Sequence, residues 1–323
     1  MNILVTGAGG FIGSHLVELL LHKRHKVIAL THYKSENYNS WLSSINNKNL
    51  KIVSGNVKDQ DFCNRISKKV DIIFNLAAII SIPYSYISIE NTFDTNVWGA
   101  MNICLAAQKN KVKKVIQMST SEVYGTAEYT PIDELHPKKP QSPYSASKIA
   151  ADALVQSFYH SFDLDVVIAR PFNTYGPRQS QRAIIPTIIS QLVSGKKYIK
   201  LGNINTHRDF TFVEDTCSAL YCLMMAKKTK GEIFNIGSQN VYSIKETLDI
   251  IQKKLNTSCK IILDKKRIRP ENSEVFLLSA DYKKLKKLTK YKPKYNFKKG
   301  IEKTINWFLK NENFIKSANK YHI

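Results

Sequence analysis

Tyr144 and Lys148 stand four residues apart in the run Tyr144-Ser145-Ala146-Ser147-Lys148. On a helix that spacing puts both side chains on one face, one turn apart. An ammonium there favours the phenolate, drawing its pKa from a reference of ~10 toward a value usable near neutrality. The pair then forms a base that takes a proton from a sugar or alcohol hydroxyl as hydride leaves the same carbon. The chain holds 16 tyrosines, so the spacing alone says little. Its surroundings carry the reading.

Upstream, Gly7-Ala8-Gly9-Gly10-Phe11-Ile12-Gly13 lies between an apolar strand, Asn2–Thr6, and a helix-periodic run over 11–21. Gly7 permits the tight turn, Gly10 lets backbone amides approach a pyrophosphate, and Gly13 lets the helix pack closely on the sheet. The helix N-terminus then favours phosphate charge, so a dinucleotide is expected. The adenosine end reads Thr31, His32, Tyr33, Lys34, with no carboxylate until Glu36. NAD calls for an acidic residue at the end of the second strand; its absence beside His32 and Lys34 leans toward NADP. Asn56, after Gly55, occupies the place of an adenine-contacting side chain.

Further strands are expected over 26–30, 51–54, 71–76, 112–118 and 165–169, separated by helices over 59–68, 91–109 and 143–162. That alternation predicts an α/β fold with a doubly wound parallel Rossmann sheet. After Arg170-Pro171 the rhythm loosens. Helices are expected over 184–194, 214–226, 244–255, 281–288 and 298–309, a short strand over 208–213, and a buried strand over 232–236 that returns to the main sheet. The expected division is 1–170 plus about 230–240 for the dinucleotide. Residues 171–229 and 241–323 then form a smaller, interleaved C-terminal substrate lobe.

The net charge of +22 raises a nucleic-acid reading, but only eight of the 48 basic residues are arginine. A lysine-biased solvated surface fits better, and no specific nucleic acid is expected. No stretch approaches ~20 apolar residues, so no spanning helix is expected. The chain enters a strand at once, and its five cysteines (63, 104, 217, 222, 259) are scattered. Both observations point to a cytoplasmic protein with reduced thiols and no signal peptide. No histidines or cysteines recur at metal-ligand spacing, so no metal is expected.

Asn75-Leu76-Ala77-Ala78, Asn96-Val97-Trp98-Gly99, Tyr144…Lys148 and Arg208-Asp209-Phe210 follow the glycine turn in order. With them the chain resembles the extended short-chain dehydrogenase/reductases, in their nucleotide-sugar epimerase/dehydratase branch. The resemblance implies a homodimer packed through the helices over 91–109 and 143–162. The cofactor surface it implies comprises Gly7, Gly10, Phe11, Ile12, Gly13, His32, Lys34, Asn56, Val57, Leu76, Ala77, Ala78, Asn96 and Pro171, with Tyr144 and Lys148 at the reacting end.

Thr120-Ser121-Glu122 resembles the same segment of GDP-mannose 4,6-dehydratase. The resemblance implies that Thr120 hydrogen-bonds the reacting sugar hydroxyl beside Tyr144 and that Glu122 removes the C5 proton. In dTDP-glucose 4,6-dehydratase the middle residue is an aspartic acid that assists departure of the C6 hydroxyl; here it is Ser121. The segments 82–86, 120–126, 141–148 and 171–179 look like the 4,6-dehydratases of legionaminic acid biosynthesis, which act on a nucleotide-linked N-acetylglucosamine. The reaction so implied oxidises C4, eliminates water across C5 and C6 and returns hydride to C6. It is redox-neutral, so NAD or NADP should stay tightly bound.

For the nucleotide-diphosphate sugar, Asn173, Arg182, Arg208 and Arg269 are the candidate diphosphate ligands, since the guanidinium fork suits that group. Ser81 and Tyr84 are candidates for the sugar pocket. Four alternatives stay open: a nucleotide-sugar 4-epimerase; a uronic acid decarboxylase, which needs a cation for the C6 carboxylate; a cofactor-sensing protein without catalysis; and a nucleic-acid-binding protein acting through the basic surface.

Overall fold

The computed structural model describes residues 1–32 and 41–316. Short runs rich in valine, isoleucine and leucine form its strands, in chain order β1 (Asn2–Thr6), β2 (Lys26–Thr31), β3 (Leu50–Ser54), β4 (Ile72–Asn75), β5 (Lys114–Met118) and β6 (Val166–Pro171). Then follow β7 (Asn173–Tyr175), β8 (Tyr198–Leu201), β9 (His207–Phe212) and β10 (Ile233–Ile236). Seven of these make one sheet in the order β3-β2-β1-β4-β5-β6-β10, every neighbouring pair parallel. The strand order reverses between β1 and β4, and such a reversal opens a crevice beyond the carboxyl ends of the strands.

The helices are α1 (Phe11–His22), α2 (Gln60–Ile66), α3 (Ile82–Ile87), α4 (Ile89–Phe93), α5 (Gly99–Lys109), α6 (Pro143–Phe162), α7 (Ile184–Val193) and α8 (Val213–Met225). On one face Leu16, Val17 and Leu20 of α1 and Leu220 and Leu223 of α8 join Val5, Phe74 and Ile116. On the other, Cys63, Ile103, Ala107, Val155 and Phe158 of α2, α5 and α6 cover Leu4, Ile73 and Val115. Covering both faces is why β4, β5 and β6 are buried at every position.

The expected strand over 232–236 is present as β10, paired with β6. The expected helix over 91–109 is instead interrupted: α4 runs into a π-helical turn at Asp94–Trp98 before α5. Apolar periodicity does not register such a widened turn. The short α3 was also not expected; Ser81 caps it and Pro83 sits in its first turn.

A smaller lobe accompanies this sheet. Strands β11 (Val241–Ser243) and β13 (Leu277–Leu278) flank β9, which also pairs with β7, while β12 (Lys260–Leu263) pairs with β8. Tyr175, Phe210, Phe212 and Phe297 of this lobe share one core with Val5 and Phe74. The two parts therefore pack as a continuous unit.

Candidate active site

At the nucleotide end, the turn after β1 is built for close backbone approach. Gly7 has φ +64, and a Cβ there would lie 2.9 Å from the Ala77 amide nitrogen. A Cβ on Gly13 would lie 2.3 Å from the Gly7 carbonyl oxygen. Gly10 provides no side-chain cap to α1, which leaves the first amides of Phe11, Ile12 and Gly13 for a ligand. Thr6 Oγ1 accepts from the Leu76 and Ala77 amides at 3.1 and 3.0 Å and donates to Asn75 Oδ1 at 2.6 Å. These bonds fix the Leu76-Ala77-Ala78 loop opposite the glycine turn. The cradle suits a dinucleotide pyrophosphate.

The remaining cofactor candidates are spread along the same edge. His32 is exposed at the end of β2, and Lys34 lies outside the described residues. Asn56 Oδ1 accepts from the Lys58 amide at 3.0 Å. Val57 is buried, and a Cβ on Gly99 would lie 2.8 Å from its Cγ2, so the glycine lets α5 reach this strand end. Asn96, in the π-helical turn, exchanges both carboxamide ends with the Ile79 backbone and donates to Ser147 Oγ at 2.9 Å. Its carboxamide thus braces the loop and α6 together. Pro171 closes β6 and is buried.

Helix α6 carries Tyr144 and Lys148. Ser142 Oγ accepts from the Ser145 amide at 3.1 Å, and Ser145 Oγ accepts from the Ser142 amide at 3.0 Å. That reciprocal cap, with Pro143 in the first turn, fixes where the helix starts and hence where Tyr144 points. Lys148 Nζ donates to the Met118 carbonyl at 2.7 Å.

The titration behaviour differs from the expectation. Burial pushes the Tyr144 phenol up, Thr120's hydrogen bond to it pulls down, and Glu122 and Asp152 push up. Burial holds Lys148 down to about 8, against the pull of Asp152. Desolvation weakens the ammonium that was to favour the phenolate, and its donor is directed to Met118.

Thr120 lies two residues beyond β5 and caps a tight turn over Ser121–Tyr124, accepting from the Glu122 amide at 3.2 Å. Ser121 is buried. Glu122 accepts from Arg269 Nη1 at 3.3 Å. Arg208, buried on β9, faces Glu274 with Nη2 to Oε1 at 3.6 Å, and the charges of Glu122, Glu274 and Arg269 all act on it. Two arginines and two glutamates therefore meet where the lobe covers the strand ends. Asp209 anchors β9 there: its carboxylate accepts from the amides of Ser238, Gln239 and Ala280.

Asn173, next along from β6, has a buried Oδ1 with no hydrogen-bond partner among the described residues. An acceptor in that state suits a bound donor. Arg182 is exposed and contacts Ser180 Oγ at 3.5 Å. Ser81 accepts from the Tyr84 amide at 3.3 Å as the α3 cap, and the Tyr84 hydroxyl accepts from Asn91 at 3.2 Å.

Sequence reasoning passed over Tyr86, Gln141, Asp152, Arg170 and Glu274. The Tyr86 hydroxyl meets Ser273 Oγ at 2.6 Å, joining α3 to the lobe. Gln141 accepts from the Thr126 amide at 2.6 Å and donates to the Asn272 carbonyl at 3.0 Å. It thereby ties the Glu122 turn, the segment after Arg269 and the start of α6. Of the five, only Asp152 had a local signal, one helical turn beyond Lys148.

A sequence profile of the family described as GDP-mannose 4,6-dehydratase matches residues 4–304. The chain belongs to this family. A UDP-N-acetyl-alpha-D-glucosaminuronate decarboxylase of Bacillus cytotoxicus is 33% identical over 322 residues, covering 96% of this chain and 98% of the relative. DesIV, the dTDP-glucose 4,6-dehydratase of Streptomyces venezuelae crystallised with NAD, superposes with TM-score 0.89 at 28% identity, over 97% of this chain and 98% of that one. A UDP-N-acetylglucosamine 4-epimerase of Methanobrevibacter ruminantium M1, in complex with UDP-N-acetylmuramic acid, has TM-score 0.85 at 30% identity, over 96% and 98%. The proteins that this chain resembles thus carry three different activities in their names: decarboxylase, 4,6-dehydratase and 4-epimerase. Among the described residues, no helix is long and apolar enough to cross a membrane.

Proposed function

We propose that this enzyme is a nucleotide-sugar 4,6-dehydratase that converts a GDP- or UDP-linked N-acetylglucosamine to its 4-keto-6-deoxy product, for legionaminic acid or a related surface glycan. The observation that carries the reading is Glu122, two residues beyond Thr120 and acting electrostatically on Tyr144. Oxidation at C4 alone needs no such carboxylate, whereas elimination across C5 and C6 needs a base for the C5 proton.

NAD or NADP, when bound, supplies a reversible hydride acceptor. The missing carboxylate after β2 leans toward NADP; the cradle of Gly7, Gly10, Gly13 and Ala77 serves either. Tyr144 takes the C4 hydroxyl proton with Thr120 orienting that hydroxyl, and Lys148 stabilises the phenolate. Glu122 takes the C5 proton made acidic by the 4-keto group. The C6 hydroxyl leaves as water, its proton coming from Glu122, Ser121 or a bound water. Arg208, Arg269 and Asn173 bind the diphosphate end, with Arg182 at the solvent-exposed margin. Ser81 and Tyr84 stand at the sugar side.

Residues 1–170 with about 230–240 hold the cofactor; 171–229 and 241–323 hold the nucleotide sugar. A homodimer through the helical segments 91–109 and 143–162 fits the exposed Trp98 and Phe162 on them.

One contact favours a second reading. Arg269 beside Glu122 is the kind of cation a uronic acid decarboxylase requires for the C6 carboxylate. Incubation with UDP- and GDP-linked N-acetylglucosamine and with the uronic acid, followed by mass spectrometry, separates the cases. Loss of one water supports the dehydratase, and loss of carbon dioxide from the uronic acid overturns it. An unchanged mass with a new epimer overturns it in favour of the epimerase.

A further inference from the structure

Behind Tyr144 and Lys148 lies a buried chain of polar groups that the proposed chemistry does not use. Asp152 sits on α6 one turn beyond Lys148 and is fully buried. Its Oδ2 accepts from Arg170 Nε at 3.1 Å, Arg170 Nη2 at 3.0 Å and Ser119 Oγ at 2.9 Å. Arg170, on β6, also donates through Nη1 to the Tyr124 hydroxyl at 2.9 Å, and that hydroxyl donates to Asn235 Oδ1 at 2.7 Å. Tyr124 ends the turn that carries Glu122, and Ser119 precedes Thr120. One guanidinium therefore joins the helix bearing Tyr144 and Lys148 to the turn bearing Thr120 and Glu122.

A buried ion pair is a poor stabiliser against apolar side chains of similar size, because desolvation offsets much of the attraction. Its location suggests another use. Asp152 Oδ1 is buried and takes no hydrogen bond among the described residues, so the carboxylate's charge is not wholly taken up by Arg170. The groups that face one another here are few. Asp152 acts on Lys148, Arg170 and Lys148 act on Asp152, and Glu122 and Asp152 act on Tyr144. Lys148, itself buried, is opposed in its loss of charge by Asp152, which lies one turn along the same helix.

We propose that Asp152, held by Arg170, is a positioning residue that keeps Lys148 protonated at working pH and aligns its helix with the Glu122 turn. The role rests on the reading of Tyr144 and Lys148 as the proton-transfer pair. It is the same for dehydratase, epimerase and decarboxylase, because all three begin with oxidation at C4. Removing the carboxylate leaves Lys148 in its low-dielectric site without a counter-charge, so the neutral amine gains. Proton transfer at Tyr144 then loses its supporting charge at neutral pH.

The test reads Lys148 directly and independently of turnover. The cofactor-bound protein is labelled competitively with acetic anhydride across a pH series, and acetylation at Lys148 is located by peptide mass spectrometry. Asp152→Asn should lower the midpoint of Lys148 reactivity by about one pH unit or more, a tenfold change in the amine-to-ammonium ratio. The basic limb of kcat for C4 oxidation, followed as absorbance of reduced cofactor, should move down with it while KM for the nucleotide sugar stays put. Asp152→Glu, which keeps the charge, should restore both. Should Asp152→Asn fail to fold because Arg170 is left unpaired, the charge-neutral double variant Asp152→Asn/Arg170→Gln takes its place with the same expected direction.

An unmoved Lys148 midpoint in the folded variants, with activity lost equally at every pH, would overturn the proposal and leave a purely structural pair. Failure of the wild type to reduce its cofactor with any nucleotide sugar would instead overturn the functional reading, and the labelling result would still stand or fall by itself.

Discussion

Arg269 Nη1 lies 3.3 Å from Glu122 Oε2, across 147 residues of sequence. The pair joins the C-terminal lobe to the turn after β5, and it sets a cation beside the carboxylate assigned to the C5 proton. In the proposed reading the guanidinium that meets Glu122 also binds the diphosphate, whose charge suits its planar fork.

Glu122→Gln keeps the size and hydrogen-bonding reach of the side chain but not its basicity. Turnover should fall about 10²- to 10⁴-fold, the usual contribution of a positioned base. Cofactor binding, measured by fluorescence titration, should be unchanged. Mass spectrometry should find no dehydrated product; a wild-type yield would remove Glu122 from the mechanism.

Arg269→Met deletes a charge-assisted contact of about 1.5–3 kcal/mol. KM for the nucleotide sugar should rise roughly 10- to 100-fold by that figure, with kcat less affected than in Glu122→Gln. An unchanged KM would mean that Arg269 does not grip the diphosphate.

Gly13→Ala places a methyl 2.3 Å from the Gly7 carbonyl oxygen, which is backbone and cannot rotate away. Overpacking of this kind costs about 1–3 kcal/mol. Dinucleotide affinity should be lost together with that stability, because displacing α1 also displaces its first amides. Calorimetric titration and urea unfolding report the two effects separately.

Lys148 should leave a signature in stability against pH. Its folded pKa of about 8 lies below the unfolded reference of 10.5. Between those values the unfolded chain holds a proton that the folded chain has released, so stability rises with pH in that window. Below about 8 the folded protein carries the desolvated ammonium, and the site is at its least favourable. Lys148→Met removes this dependence. The difference in unfolding free energy, wild type minus variant, should therefore climb from pH 8 toward 10.5 in the cofactor-free protein; a flat difference would place Lys148 in a better solvated site.

Local pattern was enough for most of the Rossmann sheet. Strands β1, β2, β4, β5, β6 and β10 are apolar runs of four to six residues, and a strand buried on both faces must be apolar along its length. The glycine turn is legible because Gly7 and Gly13 answer to steric limits within a few residues of chain. The spacing of Tyr144 and Lys148, likewise, is a property of any helix. The lobe was less legible: β7, β11 and β13 have two or three residues each, too few for a period, and they exist only because β9 lies beside them.

Tertiary structure decided what these residues feel. Sequence order has no access to burial, and it is burial that raises the Tyr144 phenol and lowers Lys148, the reverse for Tyr144 of what an exposed pair would do. Nor does order show that Arg170 on β6 joins Asp152 to Tyr124, or that Arg269 reaches Glu122. Long-range pairs form when the sheet brings strand ends together and the lobe closes over them. The chain by itself therefore determined the scaffold, the cofactor turn and the family. Folding determined which charges meet, because Coulomb interactions depend on distance and dielectric.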